Sequence, residues 1–257
     1  MKPILTIIIP SYNCLKDLPH CVENIGSVLK DNLGSSVVVH VQDGNSNDGT
    51  KNYLKTLNLP YLTFHSAEDL GVYDAMNTAV KTSTTEWVYF MGADDRLLPD
   101  FGRALAQLTN RDRIYYGNVR FASTGKRYDG PFTALKLVFR NICHQSMFFP
   151  THLLQAAPYS LRYRTKSDWA SNIKFIRDET MEYLDYDIAI FQDQNGLSST
   201  EEDLPFDQDR ALLFRINHGR ALQVLALLAP VVTAIHKYTV ALTRKKRKYC
   251  RDDSEQA

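Results

Sequence analysis

Three apolar runs punctuate the first part of the chain: Leu5-Thr-Ile-Ile-Ile-Pro10, Val37-Val-Val-His-Val41 and Trp87-Val-Tyr-Phe-Met91. They are continuous rather than alternating and rich in β-branched residues, which suits strands buried on both faces of a parallel sheet. The stretches between them, around Leu15 to Leu29, Thr50 to Leu57 and Tyr73 to Val80, are long enough for crossover helices. Thr50 is placed to cap its helix, and Gly49 permits the tight turn into it.

From Arg111 to Asn195 the pattern is less regular and rich in Tyr, Arg and Phe. Short strands are expected at Ile114 to Tyr116 and Met147 to Phe149, and a helix from Trp169 to Ile176. From Asp207 the pattern is helical to about Arg244, with a break or kink at Pro230. The expected organisation is an α/β half over 1–110, a second half of the same domain over 111–206, and amphipathic helices with a basic tail over 207–257.

With 30 basic and 29 acidic residues, the net charge of +1 gives no global pull toward nucleic acid, so any electrostatic specialisation is local. Cys14, Cys21, Cys143 and Cys250 lack the paired spacing of a zinc site, and no signal peptide precedes Leu5. Free thiols in a reducing cytoplasm are the expectation.

Two acidic clusters follow strand-like runs: Asp43-Gly-Asn-Ser-Asn-Asp48-Gly-Thr50 and Gly92-Ala-Asp94-Asp95. Each alone reads equally as a turn. Together, at the strand ends where open α/β sheets bind ligands, they suggest a phosphate-linked nucleotide held with a divalent ion, because a buried carboxylate needs a cation or donors.

Five segments in order resemble the family 2 glycosyltransferases. They are Thr6-Ile-Ile-Ile-Pro-Ser-Tyr-Asn13, Gln42-Asp-Gly-Asn-Ser-Asn-Asp-Gly-Thr50, Asp69-Leu-Gly-Val-Tyr-Asp-Ala-Met-Asn77, Gly92-Ala-Asp-Asp95 and His144-Gln-Ser146. The resemblance covers about the first two-thirds of the chain. It implies a GT-A (Rossmann-like) α/β fold, with a mostly parallel central sheet and helices on both faces. It also implies an inverting enzyme that moves one sugar from a nucleotide-diphospho-sugar, here a UDP-sugar, to a hydroxyl of a glycan or lipid-linked saccharide in surface polysaccharide synthesis. The Gln-x-x-Arg-Trp motif of the family's processive members is absent from the sequence, which favours single-sugar addition.

The resemblance also distributes roles. Pro10, Tyr12 and Asn13 would cradle base and ribose, with Asp43 and Ser46 beside them and Asp43 accepting from the base or sugar edge. Asp48 and Gly49 would bend and brace the site. Asp69, Asp74 and Asn77 belong to a loop entering a helix whose N-terminus suits donor oxygens, although Asp74 equally serves that helix dipole. Asp95 would bind Mg²⁺ or Mn²⁺, and Asp94 the ribose or donor sugar. Asp168 would be the catalytic base, with a helix cap as its alternative reading and Asp178, Glu179 and Asp185 as further candidates. His144 and Gln145 would lie on the acceptor side, though a His among aromatics also reads as a core group.

Residues 221–235 are nearly all apolar but too few to span a bilayer, which takes ~20. Arg244-Lys-Lys-Arg-Lys248 follows, then Asp252-Asp-Ser-Glu255. Peripheral membrane contact through 221–248 at the inner face, packing on the domain, and dimerisation are all consistent with this pattern. Two other functions share some of these features. A non-catalytic nucleotide-sugar or membrane-surface binding protein would keep the donor site, and a nucleotidylyltransferase would need a glycine-rich basic loop where this chain has Pro10-Ser-Tyr-Asn-Cys14.

Overall fold

The first two apolar runs become neighbouring parallel strands, β1 (Leu5–Ser11) and β2 (Val37–Asp43), in register from Leu5 opposite Val37 to Ser11 opposite Asp43. The computed structural model describes residues 2–176, 180–194 and 202–252, with side chains through 235 and at 239. Strand β3 (Leu62–Ser66) extends the ladder beyond β2, and β4 (Trp87–Phe90) pairs parallel on the other side of β1. Parallel pairing in register brings the strand ends, and the loops that follow them, to one edge of the sheet.

The remaining strands are β5 (Arg96–Leu97), β6 (Ile114–Phe121), β7 (Arg127–Tyr128), β8 (Met147–Pro150) and β9 (Met181–Phe191). Among the described residues they complete a sheet of order β3-β2-β1-β4-β8-β6-β9-β5, with β7 on β6. The ladder is parallel through β4 and mixed beyond it. Strand β8 runs antiparallel to both β4 and β6, β5 runs antiparallel to β9, and only β6 and β9 pair in parallel. The expectation of a mostly parallel sheet therefore holds for its first half. Strand β5 also reaches across to β9, so the two halves share one sheet.

Alternation along β1 feeds two cores. Leu5, Ile7 and Ile9 pack with α1 (Leu18–Val28), α2 (Thr50–Thr56) and α4 (Phe101–Leu105) on one face. Ile8, with Val88 and Phe90, packs on the other with α3 (Val72–Thr82), α5 (Ala134–Phe139), α6 (Thr151–Ala156) and α7 (Ser167–Phe175). Each fully buried Ile or Leu contributes roughly 1.5–3 kcal/mol of transfer free energy.

The C-terminal helices α8 (Leu204–His218) and α9 (Arg220–Asp252) also cover this second face, through Phe206, Phe214, Ala226 and Ala229. Of the break or kink expected at Pro230, no break occurs there; the two helices are separated at Gly219, whose φ of 88° is in the left-handed region. α9 runs through Pro230. A proline there leaves the carbonyl of Ala226 without its helical N–H. Arg210 of α8 supplies one, its Nη2 donating to that carbonyl at 3.0 Å. Asp178, Glu179 and the side chains of 244–248 and Cys250 lie outside the described residues; Cys14, Cys21 and Cys143 are free thiols.

Candidate active site

Asp43 ends β2 fully buried, beneath the surface its loop presents. Its Oδ1 accepts from Ser46 Oγ at 2.5 Å, and its Oδ2 accepts from Ser46 N–H at 3.1 Å and Ser66 Oγ at 2.6 Å. Ser46 Oγ in turn accepts from Asn13 N–H at 2.8 Å, and Asn13 Oδ1 accepts from Asn47 N–H at 2.9 Å. The loops after β1 and β2 are thus tied together, with Asp43 covered rather than open to a ligand. Asp48 accepts from Leu15 N–H, Thr50 N–H and Thr50 Oγ1 at 2.9, 3.0 and 2.7 Å. Thr50, expected as the helix cap, is the first helical residue; Gly49 occupies the cap position at φ 102°.

Above this knot lies a cleft of about 940 Å³. Pro10, Ser11, Tyr12 and Asn45 form one wall, and the segment from Glu68 to Ala75 forms another, with Tyr163 and Arg164 at the side. Tyr12 is 67% exposed, presenting a free ring face. Asp69 accepts from Gly71 N–H and Asp74 from Leu70 N–H, both at 2.9 Å, which shapes the loop in front of α3. Burial holds the Asp69 carboxyl above its ordinary value. Asn77 faces elsewhere: its amide exchanges two 2.9 Å hydrogen bonds with the backbone of Tyr159.

The second acidic cluster turns sharply after β4. Asp95 is buried; its Oδ2 accepts from Gly92 N–H at 3.1 Å and its Oδ1 from Gln192 N–H at 2.9 Å. Burial, and then the neighbouring Asp94 charge, push its carboxyl up to about 7. Burial also raises Asp94, which is half-buried and faces a second cavity. A Cβ on Gly92 would lie 2.6 Å from Asp95 Oδ2 and 2.8 Å from Asp94 Oδ1, so a larger residue here would displace both carboxylates. The Arg96 guanidinium donates to the backbone carbonyls of Asp94 and Asp95.

Among the described residues no group of three His, Cys, Asp or Glu side chains forms a self-sufficient metal cage. Asp94 lines the second cavity, whereas Asp95, 1% exposed with both carboxylate oxygens accepting from backbone N–H groups, lines neither. One or two carboxylates completed by diphosphate oxygens are a usual magnesium set, so a hard divalent ion there would draw on Asp94 directly and would need Asp95 to turn an oxygen toward it.

The second cavity, about 430 Å³, shares Val72 and Tyr73 as lining residues with the cleft. Asp94 and Gln192 line it, as do His144, Gln145 and Asp168, with Phe121, Tyr128, Trp169 and Phe191 as aromatic walls. Asp168 stands in the first turn of α7 without capping it. Its Oδ1 accepts from the Tyr73 hydroxyl at 2.7 Å and its Oδ2 from Asn141 Nδ2 at 2.6 Å, and Asn172 donates to Asn141 Oδ1 at 2.8 Å. Two elements distant in sequence therefore aim this carboxylate. His144 packs on Phe90 at 4.8 Å with Nε2 2.8 Å from the Tyr159 hydroxyl, and burial lowers its pKa. Asp185 lies apart, in an ion pair with Arg127 at 2.6 Å.

Asn141, Gln192 and Asp203 belong to no sequence motif, yet they shape the site. Asp203 is buried and accepts from Thr165 N–H at 2.8 Å and Lys166 N–H at 3.0 Å, fixing the segment before Asp168. Lys166 lines the cavity and pairs with Asp207 at 2.9 Å. No motif spacing announces Asn141, Gln192 or Asp203, because each acts through contacts distant in sequence.

The model of the "Glycosyl transferase family 2" family matches residues 6–177. A PGL/p-HBAD biosynthesis glycosyltransferase of Mycobacterium bovis is 36% identical over 215 residues, covering 79% of this chain and 82% of that protein. The TarS 1-349 structure of S. aureus in complex with UDP-GlcNAc superposes with TM-score 0.67 at 15% identity, covering 88% of this chain and 66% of that one. The mannosyltransferase PcManGT of Pyrobaculum calidifontis, in complex with GDP-Man and Mn2+, superposes with TM-score 0.55 at 17% identity, covering 94% and 81%. The structural likenesses establish the expected GT-A fold.

Proposed function

We propose, for a chain that belongs to glycosyl transferase family 2, that it is a metal-assisted inverting transferase acting from a nucleotide-diphospho-sugar onto a saccharide hydroxyl. The observation that carries the reading is that Asp94 and Asp168 face one cavity, which shares Val72 and Tyr73 as lining residues with the cleft at the strand ends.

In this reading the larger cleft takes the nucleotide. Tyr12 offers a stacking face for the base, Asn13, Asp43 and Ser46 hold the walls rigid, and the loop of Asp69 and Asp74 presents the entry to α3. Asp94 and Asp95 are the residues that would hold Mg²⁺ or Mn²⁺ there. The ion, when bound, neutralises the departing nucleoside diphosphate. The donor sugar lies over the smaller cavity, and the acceptor enters between the aromatic walls beside His144 and Gln145. Asp168, aimed by Tyr73 and Asn141, accepts the acceptor's proton while its oxygen attacks the anomeric carbon opposite the diphosphate. Enclosure by Trp169, Tyr128 and Phe191 limits competition by water.

A UDP-sugar donor is supported by the neighbour bound to UDP-GlcNAc, and a divalent ion by the neighbour bound to GDP-Man and Mn2+. A role in a biosynthetic pathway is supported by the relative named for PGL/p-HBAD biosynthesis; the glycan or lipid-linked acceptor follows from the family resemblance of the sequence. The reading places the enzyme in the cytoplasm, at the inner face of the membrane where such an acceptor is presented.

Asp168→Asn tests the site. Thermal stabilisation by nucleotide sugar with Mn²⁺ should match wild type, while transfer falls by at least about 100-fold, the usual contribution of a general base. Unchanged turnover would place the base elsewhere.

A further inference from the structure

Helix α9 leaves an apolar stripe uncovered among the described residues. Val224, Leu227, Leu228, Val231, Val232 and Ile235 are 47–62% exposed. Their spacing of three and four sets them along one side of the helix, while Ala226 and Ala229 on the other side are buried. No charged residue occurs from 221 to 235. Residues 236–251 then hold seven Lys and Arg and no acid, although 1–235 carry 23 basic against 26 acidic residues. Positive charge is therefore concentrated on the same helix as the stripe, ahead of Asp252, Asp253 and Glu255.

We infer that α9 docks on a bilayer surface rich in anionic lipid, its stripe against the acyl boundary and its basic segment among the headgroups. The uncharged run measures only ~22 Å along a helix, short of the ~30 Å hydrocarbon core, and no helix among the described residues is long and apolar enough to cross a membrane. The helix thus lies along the surface. A second copy is the poorer partner. Parallel pairing would bring two runs of five consecutive cations together, and antiparallel pairing would lay each near an apolar stripe, with no acid in 236–251 to offset either.

The docked helix is joined to the active site. α9 packs along α5, which leads directly to Asn141 and the other cavity residues through Gln145. α8 fixes the segment before Asp168 through Asp203. Docking would hold the cavity at the membrane, where a lipid-linked hydroxyl can enter. That last consequence rests on the transferase reading; the docking itself does not.

Co-sedimentation of the full chain with phosphatidylcholine vesicles, with and without about 30 mol% phosphatidylglycerol, tests it directly. Wild type should sediment with the anionic vesicles only, and less at high salt. Lys245→Glu with Lys246→Glu should weaken partition by about 25-fold or more, near fivefold for each basic residue removed. Leu228→Asp with Val231→Asp should abolish binding at an unchanged melting temperature, since both side chains are exposed. Absence of wild-type binding, equal binding to neutral vesicles, or a solution dimer that the Leu228 and Val231 changes dissociate without any vesicle binding would each overturn the proposal. No nucleotide sugar is needed, so loss of docking is distinguishable from failure of the transferase reading.

Discussion

Asp95 links burial to pH. Its ordinary value of 3.8 is raised to about 7 in the folded chain, so between about pH 4 and 7 the native state holds a proton that the unfolded chain has released. Its contribution to stability is present at low pH and is lost as pH rises through about 7. Asp94 shifts in the same direction through its own burial. Cation binding follows the opposite course, because the ion competes with that proton and gains up to tenfold per pH unit below the folded value. Melting curves from pH 5 to 8.5, with and without UDP and Mn²⁺, should show the ligand-free melting temperature falling toward pH 7 while the ligand increment grows. A ligand increment independent of pH would remove Asp95 from the metal.

The C-terminal helix pair turns on one contact between elements. Pro230 leaves Ala226 without its helical hydrogen bond, and Arg210 provides the donor while its guanidinium sits 6.0 Å from the Trp169 ring beside the cavity. Arg210→Met should cost about 1–3 kcal/mol through the orphaned buried carbonyl and lost packing. Pro230→Ala restores a backbone N–H at the right position, so the same Arg210 change should cost measurably less in that background. Denaturant unfolding of the four proteins measures the coupling, and strict additivity would mean that Arg210 serves another purpose.

At the scale of the whole molecule, legibility followed the range of the interactions. Strands β1, β2 and β4 are readable because burial on both faces writes a continuous apolar run, and the helices between them follow from the crossovers. β9 is not, since Glu182, Asp185 and Asp187 interrupt its apolar positions and its strand character comes from pairing with β6. At Pro230 the helix does not break, and its local signal cannot show that Arg210 supplies a donor to the carbonyl the proline leaves unpaired. The acidic pair and Asp168 carry local motifs. The partners that aim Asp168 lie 95 and 27 residues away in sequence and become visible only when α3 and the segment after α5 meet α7.

An inverting transferase with Asp168 as its base must reverse the configuration at the anomeric carbon. The decisive measurement is proton NMR of the first product formed from an α-linked nucleotide-diphospho-sugar with Mn²⁺, chosen from a panel by thermal shift. Wild type should give the β-linked product, and Asp168→Asn, with donor stabilisation intact, should give it at least about 100-fold more slowly. An α-linked product would show a retaining enzyme, and undiminished turnover by Asp168→Asn would show that another group is the base.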